Sequence, residues 1–306
     1  MFNHFCRCLS VLAVVPPVLS ASVALAAPGA TLDVWTRTAG PAAGADKRTN
    51  PRVIDLSKLP VVEVRRTDVQ YGRVLEYRGV PLQAVLDEYA PAAALDLALL
   101  HFGNGMQVPL PFRDAALVKS FDLFVAIATR PSSEANWRTS FPALSRPRSG
   151  FADARPIKFG AIKLVSASAG HPALAPEARG VLAPWQHTDS LTGVELVSSQ
   201  AYFAQFNVGD EPAVQHGQKL FMQNCQFCHG ARQVGAAFGW DFVDPTPIYN
   251  YRGRRNLFYH VKYKPIDASA RGLQMPAMSH MSEPDVADLW QWLRAVATRP
   301  MPAYAP

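Results

Sequence analysis

The chain has 306 residues, of which 49% are hydrophobic and 18% are charged, so we expect a globular protein with a substantial core. The formal net charge of +6 is spread along the chain: residues 207–306 carry ten Lys or Arg against eight Asp or Glu. No segment concentrates basic residues in the way that nucleic-acid-binding proteins do. A nucleic-acid partner is therefore not expected.

The N-terminus has the pattern of an export signal. Arg7 precedes an apolar run that ends in a small-residue cleavage site, Ala24-Leu25-Ala26. An uncleaved membrane anchor is the alternative, but Pro16 and Pro17 would break a spanning helix, and the run is short for a bilayer. We predict a signal peptide over residues 1–26, a periplasmic location and no membrane span after cleavage.

The cysteines are few. Cys6 and Cys8 lie inside the predicted signal, so the mature chain would keep only Cys225 and Cys228. An exported protein with two cysteines this close together has no disulfide framework. The pair is therefore predicted to have another role.

Residues 30–206 are predicted to form a mostly-β α+β domain. Residues 27–52 are predicted to be an extended lead-in, and residues 130–156 a long loop rich in Pro, Ser and Arg. Residues 80–86 are predicted to begin a short helix with one apolar face, formed by Leu82, Val85 and Leu86. Strand-like runs are found at residues 61–64, 71–78, 106–110, 121–127, 160–165 and 193–197.

The pattern changes near residue 207. Residues 207–212 are a predicted linker, and residues 213–306 are a predicted all-α domain. Ser282 is suited to cap the last helix, with Asp285 as its capping-box partner. The first helix has one face of apolar and small residues, formed by Val214, Gly217, Leu220 and Phe221.

The strongest motif is the pentapeptide Cys225-Gln226-Phe227-Cys228-His229, which has the Cys-x-x-Cys-His pattern of haem attachment. The two thiols would add across the porphyrin vinyl groups, and His229 would then lie beneath the iron as an axial ligand. A thioredoxin-like pair would follow a strand, whereas this motif follows a helical pattern. A zinc site would need further ligands at suitable spacing, and no second Cys pair exists. The sequence predicts one covalent haem c on Cys225, Cys228 and His229.

The second axial ligand has several candidates. Thioether sulfur is a partner of His in electron-transfer haems, where it raises the reduction potential. Met275 has the best context because it precedes Pro276, which would stiffen a ligand loop. We predict Met275, although a Met in this region is often only core filler. The alternatives are His260, Met278, His280 and Met281.

The residues around the motif have a specific order: Gly217-x-x-x-Phe221 before it, Met275-Pro276-Ala277 after it, and Trp292-Leu293 near the end. Over about residues 210–300 this pattern resembles a class I cytochrome c domain. The resemblance implies a small helical bundle whose first and last helices cross near Gly217 and Trp292. It also implies a proline whose carbonyl orients His229, and Pro245 and Pro247 both fit that role.

Several residues between the two predicted axial ligands, His229 and Met275, are candidates for polar contacts with the haem or with a partner. Those that suit the haem propionates are Trp240, Tyr249, Tyr251, Arg252 and Arg255. A basic rim that steers an acidic redox partner would consist of Arg252, Arg254, Arg255, Lys262, Lys264 and Arg271, although such residues are often only a solvated surface. We expect redox proteins as partners: an oxidase, a reductase or a dehydrogenase.

A second resemblance to a known family rests on four stretches of the N-terminal region: residues 77–82, 102–110, 159–165 and 185–197. They resemble the molybdopterin-binding domain of sulfite-oxidase-type oxidoreductases. In those enzymes a cysteine thiolate ligates molybdenum, whereas residues 27–224 contain no cysteine. We therefore expect a retained fold without molybdopterin that serves as a docking platform. Candidates for a residual pocket are His101, Asn104, Trp137, Trp185 and His187.

These observations favour an exported monohaem c-type cytochrome that carries single electrons between redox partners and has no catalytic residues. One alternative is a molybdopterin-dependent oxidoreductase that passes electrons to its own haem, which the missing cysteine argues against. The other is a haem-based ligand-binding or sensor module. It would need an open sixth position on the iron, whereas Met275 predicts a filled one.

Overall fold

The computed structural model describes residues 29–37, 48–68, 70–71, 73–143, 159–166, 188–263 and 278–298. Strands dominate before residue 198 and helices dominate after it. The predicted division into a mostly-β N-terminal region and a helical C-terminal region is confirmed. The predicted signal peptide and Met275 lie outside the described residues, as do Trp185 and His187.

The N-terminal region contains strands and short helices in alternation. Its strands are β1 (Thr31–Arg37), β2 (Arg48–Asp55), β3 (Val62–Asp68), β4 (Arg73–Pro81), β5 (Leu97–Phe102), β6 (Gln107–Leu110), β7 (Leu123–Arg130), β8 (Lys163–Ser166) and β9 (Leu191–Val197). Its helices are α1 (Leu82–Tyr89) and α2 (Ala115–Phe121), with a short 3-10 helix at Leu56–Lys58.

The strands form two sheets. The larger sheet has the order β2-β1-β9-β5-β6, and the smaller has the order β3-β4-β7-β8. Only the β1–β9 pair among these described neighbours is parallel. Residues of both sheets and of α1 share one apolar cluster, in which Leu100 and Val194 come from the larger sheet and Val125 from the smaller. The main core of the region therefore lies between the sheets.

The predicted lead-in over residues 27–52 is wrong. β1 occupies an inner position of the larger sheet, where it buries Leu32, Val34 and Trp35. β2 is an edge strand that contains Pro51 and is largely exposed, so it lacks the alternation by which a strand is recognised. The predicted strand over residues 121–127 begins later, because α2 extends to Phe121. The predicted apolar face of α1 is confirmed.

The C-terminal region is mainly helical. Its helices are α3 (Ser199–Ala204), α4 (Pro212–Asn224), α5 (Ile248–Tyr251), α6 (Arg254–Tyr263) and α7 (Glu283–Thr298), and two short strands, β10 (Gly230–Ala231) and β11 (Val234–Gly235), pair with each other. No helix in the described ranges combines the length and the apolarity that crossing a bilayer requires.

The crossing of α4 and α7 agrees with the prediction. Gly217 lies against α7 so closely that a Cβ there would collide with the carbonyl oxygen of Asp288 and with Trp292. A glycine is therefore required at the contact. The start of α7 has the predicted capping box: the Ser282 hydroxyl accepts from the Asp285 N–H at 3.2 Å, and the Asp285 carboxylate accepts from the Ser282 N–H at 2.8 Å.

The two regions are packed against each other. Leu97 and Leu99 of β5 belong to the same apolar cluster as Phe206 and Trp292. The indole N–H of Trp292 donates a hydrogen bond to the carbonyl of Phe206 at 2.9 Å. Residues 207–212 thus connect two parts of the chain that share a core.

Candidate functional site

The Cys-x-x-Cys-His motif forms a tight turn at the end of α4. Cys225 is the C-terminal cap of the helix, and its carbonyl accepts hydrogen bonds from the N–H groups of Cys228 at 3.0 Å and His229 at 2.8 Å. Both thiols are buried and not disulfide-linked, and burial raises the pKa of each to about 12. The turn therefore holds two thiols and an imidazole within five residues, as two-point attachment of a haem requires.

His229 is oriented by a backbone group. Its Nδ1 lies 2.8 Å from the carbonyl oxygen of Trp240, to which Nδ1–H donates, and this leaves the lone pair of Nε2 for a metal. Desolvation lowers the pKa of His229, although the Trp240 carbonyl opposes this, so the ring is held in the neutral form that binds metals. The expectation that Pro245 or Pro247 supplies the orienting carbonyl is not what the structure shows.

The neighbours of the His229 ring explain why Trp240 takes that role. Gly239 approaches the ring so closely that a Cβ would collide with it, so the missing side chain lets the backbone of Trp240 reach Nδ1. Phe242 stacks on the imidazole, with ring centroids 4.5 Å apart and an interplanar angle of 25°. The ring is thereby fixed by one hydrogen bond and one stacking contact.

Asp241 organises the loop that carries the Trp240 carbonyl. Its Oδ1 accepts from the backbone N–H groups of Arg232, Val243 and Asp244 at 2.7–3.0 Å, and its Oδ2 accepts from that of Gln233 at 2.7 Å. The sequence analysis missed this residue. A single Asp in a loop has no distinctive spacing, and only the fold shows that it gathers four backbone donors.

The candidate sixth ligands occupy different environments. Met278 and Met281 are buried in the apolar cluster that contains Cys225. Nε2 of His280 lies 3.0 Å from the side-chain oxygen of Asn224. Nδ1 of His260 is buried and has no hydrogen-bond partner among the described residues. Met275, the predicted ligand, lies outside the described residues.

The candidate propionate and docking residues lie mainly on the surface of α5 and α6. Tyr251 and Trp240 are exposed, and Tyr249 packs its ring edge-on against Trp290 at 6.3 Å. On α6 the guanidinium of Arg255 lies 5.7 Å from the ring centroid of Tyr259. Arg252 and Arg254 are at least partly exposed, whereas Lys264 and Arg271 lie outside the described residues.

The haem-attachment turn contacts the β-sheets. The backbone N–H of Gln107 donates to the carbonyl of Phe227 at 3.2 Å, and that of Ala237 donates to the carbonyl of Gly105 at 2.8 Å. The side chains of Phe227 and Cys228 belong to the core cluster of the two sheets. The sequence analysis missed this contact, and its one signal was the bulky apolar residue between the cysteines.

Of the residues proposed for a residual pocket in the N-terminal region, the structure describes His101, Asn104 and Trp137, and these three have different surroundings. His101 of β5 lies 2.9 Å from the carboxylate of Glu195. Trp137 lies beside the other sheet, stacked on Arg78 and Arg130. The side-chain oxygen of Asn104 accepts from the N–H of Met106 in the β5–β6 turn. A cavity of about 620 Å³ is lined by Glu195, the partner of His101, and by Tyr202, but not by His101, Asn104 or Trp137 themselves.

The helical region, with its two cysteines and oriented imidazole, is consistent with a cytochrome c domain. A family model described as cytochrome C oxidase, cbb3-type, subunit III, matches residues 212–293, from the first residue of α4 into α7. No curated protein and no solved structure matches the chain. The family match supports a C-terminal cytochrome c domain, and such a domain implies haem c, an electron-transfer role and redox partners.

Proposed function

We propose that this protein is an exported, monohaem c-type cytochrome that carries single electrons between redox proteins. Cys225 and Cys228 would bind the haem covalently, and His229 and Met275 would be its axial ligands. The haem supplies one-electron cycling between ferric and ferrous iron. The observation that carries the proposal is the His229 imidazole, which follows Cys228 directly in the chain and whose Nδ1 is held by the Trp240 carbonyl at 2.8 Å, so that Nε2 keeps its lone pair.

The residues around this site orient and shield rather than catalyse. The Trp240 carbonyl fixes the tautomer of His229 and increases its basicity as a ligand. Phe242 and Leu257 contribute buried apolar surface close to the attachment turn, which excludes water and so influences the reduction potential. Electron transfer needs no general acid or base, so no catalytic residue is assigned.

Chain connectivity supports Met275 as the sixth ligand. The N–H of Met278 donates to the carbonyl of Val261 at 2.8 Å, which ties the residue three positions after Met275 to the end of α6. Val261 and Met278 share the apolar cluster of Cys225. We infer that the Met275 thioether is the sixth ligand of the iron, a position in which it would raise the reduction potential.

The N-terminal region is proposed to be a docking platform without catalytic activity, resembling the sulfite-oxidase-type fold but lacking molybdopterin. Two observations support this role. Residues 27–224 contain no cysteine to ligate molybdenum. The larger sheet also contacts the cytochrome region: the Gln107 N–H of β6 donates to the Phe227 carbonyl of the attachment turn, and the Gly105 carbonyl accepts from the Ala237 N–H in the loop that follows. The platform would thus determine which side of the cytochrome a partner approaches.

The proposed organisation has an export signal over residues 1–26, the β region over 30–206, a linker over 207–212 and the cytochrome over 213–306. A docking surface for an acidic partner is proposed on α6, where Arg255 and Lys262 lie beside exposed Tyr259 and Tyr263. Basic residues around such a surface would accelerate encounter with an acidic protein and lose this effect at high salt.

The test is maturation of the full chain in a periplasm that contains haem-attachment machinery. Metal analysis and a pyridine haemochrome spectrum should show one iron per chain as haem c, with no molybdenum. A sulfur-to-iron charge-transfer band should be present and should disappear in Met275→Ala. N-terminal sequencing should begin at Ala27.

The outcomes separate the candidate functions. Loss of covalent haem in Cys225→Ala, with retention in Gln226→Ala, would support attachment at the motif. About one molybdenum per chain would contradict the proposed docking role of the N-terminal region and would favour a molybdopterin-dependent oxidoreductase. Rapid binding of carbon monoxide by the reduced wild type would favour the sensor, because it requires an open sixth position.

A further inference from the structure

The cavity beside Tyr202 has the size and the wall of a small-molecule site. Its volume of about 620 Å³ falls within the range of about 300–1,000 Å³ that is typical of such sites. The wall is mostly apolar and includes Tyr89 of α1, Leu95, Val197 of β9 and Ala201 of α3. None of the residues proposed to hold the haem lines this cavity, so any ligand here would be a second one.

The carboxylate that lines the cavity is already engaged within the protein. Glu195 is fully buried, and its Oε1 lies 2.6 Å from Nε of Arg37. Its Oε2 accepts from Nη2 of Arg37 at 3.1 Å and lies 2.9 Å from Nε2 of His101. A carboxylate held on both oxygens has little capacity left for a ligand. A cationic ligand is therefore not favoured.

The two arginines of the lining remain accessible. The side chain of Arg37 is 54% exposed and that of Arg52 is 48% exposed. Nη1 of Arg37 donates to none of the described residues, and Nη1 of Arg52 is fixed by the carbonyls of Glu88 and Tyr89 at 3.0 and 3.2 Å. The Glu88 carboxylate is half exposed and 3.5 Å from Nη2, so it neutralises Arg52 only weakly. A guanidinium has five N–H donors, and both arginines thus keep donors for an anion.

The cavity lies where the β region meets the cytochrome. Tyr202 lines it and belongs to the apolar cluster that contains Cys225. The Tyr202 hydroxyl donates to the side-chain oxygen of Gln107 at 3.1 Å, and the Gln107 N–H donates to the Phe227 carbonyl. Ligand sites are found preferentially at interfaces between such regions.

Two lining residues have an unusual backbone conformation. Asn50 and Ala90 have φ values of 50° and 53°, in the left-handed region that favours glycine. The hydroxyl of Tyr89 donates to the Asn50 carbonyl at 2.8 Å and joins the two positions. Left-handed residues other than glycine are concentrated at functional sites, where the surrounding structure holds them. The backbone of the cavity wall is therefore a second feature that is typical of a ligand site.

We propose that this cavity binds a small organic carboxylate with an apolar body. Arg37 and Arg52 would bind the carboxylate, because a guanidinium matches a carboxylate with paired, charge-assisted hydrogen bonds. The apolar body would lie against Tyr89, Leu95 and Tyr202. This inference goes beyond the proposed function and does not depend on the haem.

The experiment is isothermal titration of the matured full-length protein with naphthoate and with hexanoate, an aromatic and an aliphatic carboxylate. One site per chain is expected, and neutral naphthamide should bind about tenfold or more weakly than naphthoate because the charge-assisted hydrogen bonds are lost. Arg52→Gln should weaken naphthoate by a similar factor. Arg48→Gln is the matched control, since Arg48 lies on the same strand and is also 48% exposed but does not line the cavity.

Three results would overturn the proposal. They are no binding of either carboxylate, equal binding of naphthoate and naphthamide, and equal weakening in the two arginine variants, which would indicate surface charge alone. If Arg52→Gln does not fold, Ala201→Leu narrows the cavity without removing a charge and should also weaken naphthoate, and unchanged binding would contradict the site. Haem content and circular dichroism check the fold of every variant. Absence of covalent haem in the wild type would contradict the proposed function but not this site.

Discussion

The contact between the haem-attachment turn and the β-sheets is tested by Phe227→Ala. Phe227 is 5% exposed and belongs to the core that the two sheets share. Truncating a buried Phe to Ala costs about 3–5 kcal/mol, a large part of the 5–15 kcal/mol that keeps a typical domain folded. The hydrogen bond from the Gln107 N–H to the Phe227 carbonyl involves only the backbone and is retained in the variant. The decrease in the free energy of unfolding therefore reports on side-chain packing.

Gln226→Ala is the matched control. Gln226 lies in the same turn and is also 5% exposed, but its side-chain amide donates to the Met222 carbonyl at 2.6 Å within the cytochrome. Removing it deletes one hydrogen bond, which costs about 0.5–1.5 kcal/mol. Both variants preserve the cysteines and His229, so haem attachment should be unaffected.

The assay is denaturant unfolding of the matured full chain, followed by haem absorbance and by far-ultraviolet circular dichroism. In the wild type the two signals should change together, because the β region and the cytochrome share a core. The free energy of unfolding should fall by about 3–5 kcal/mol in Phe227→Ala and by no more than about 1.5 kcal/mol in Gln226→Ala. Equal losses, or two well-separated transitions in the wild type, would refute the reasoning.

Two further perturbations follow from single contacts. Gly239→Ala should place a methyl group against the His229 ring and push the ring away from the Trp240 carbonyl. The haem content should fall, and the reduction potential should rise because a less basic imidazole stabilises ferric iron less, whereas Gly253→Ala, with open space around it, should change neither. Lys163→Met should destabilise the fold by about 3–5 kcal/mol, measured by thermal unfolding, because Asp68 is left buried without its cation at 2.8 Å. Burial opposes ionisation of Asp68, but Lys163 and the hydrogen bonds from the Tyr77 hydroxyl and the Tyr71 N–H together outweigh it and lower the pKa of Asp68 below its ordinary value. The wild type should therefore hold this stabilisation above about pH 4 and lose it as the pH falls; an identical acid dependence in Lys163→Met would contradict this.

The features that could be predicted from the sequence are those that depend on residues close together in the chain. The Cys-x-x-Cys-His motif lies within five consecutive residues, and the capping box of Ser282 and Asp285 within four. The crossing at Gly217 was predictable because close helix contact needs a residue without a side chain. Each of these signals depends on neighbours in the chain rather than on the rest of the fold.

The features that the sequence did not predict depend on groups without a side-chain signature or on distant partners. The carbonyl of Trp240 orients His229, and any residue at that position carries a carbonyl. β1 was not predicted from the sequence, and one of its pairing partners, the parallel strand β9, lies more than 150 residues away in the chain. The packing of Phe227 on the sheets is similarly non-local, since its partners come from separate strands.

The packing of the two regions restricts how a partner can reach the haem. The β5–β6 turn contacts the loop that follows the attachment turn through Gly105, whose φ of 88° and close approach to Ala237 suit glycine. That side of the cytochrome is therefore occupied by the chain itself. The exposed aromatic and basic residues of α6 lie on a surface that faces solvent, with Tyr263 61% exposed. In the proposed docking role, the β region would cover one side of the cytochrome and leave the basic side open. This arrangement would select the orientation of an acidic partner, because charge complementarity acts mainly on specificity and encounter rate.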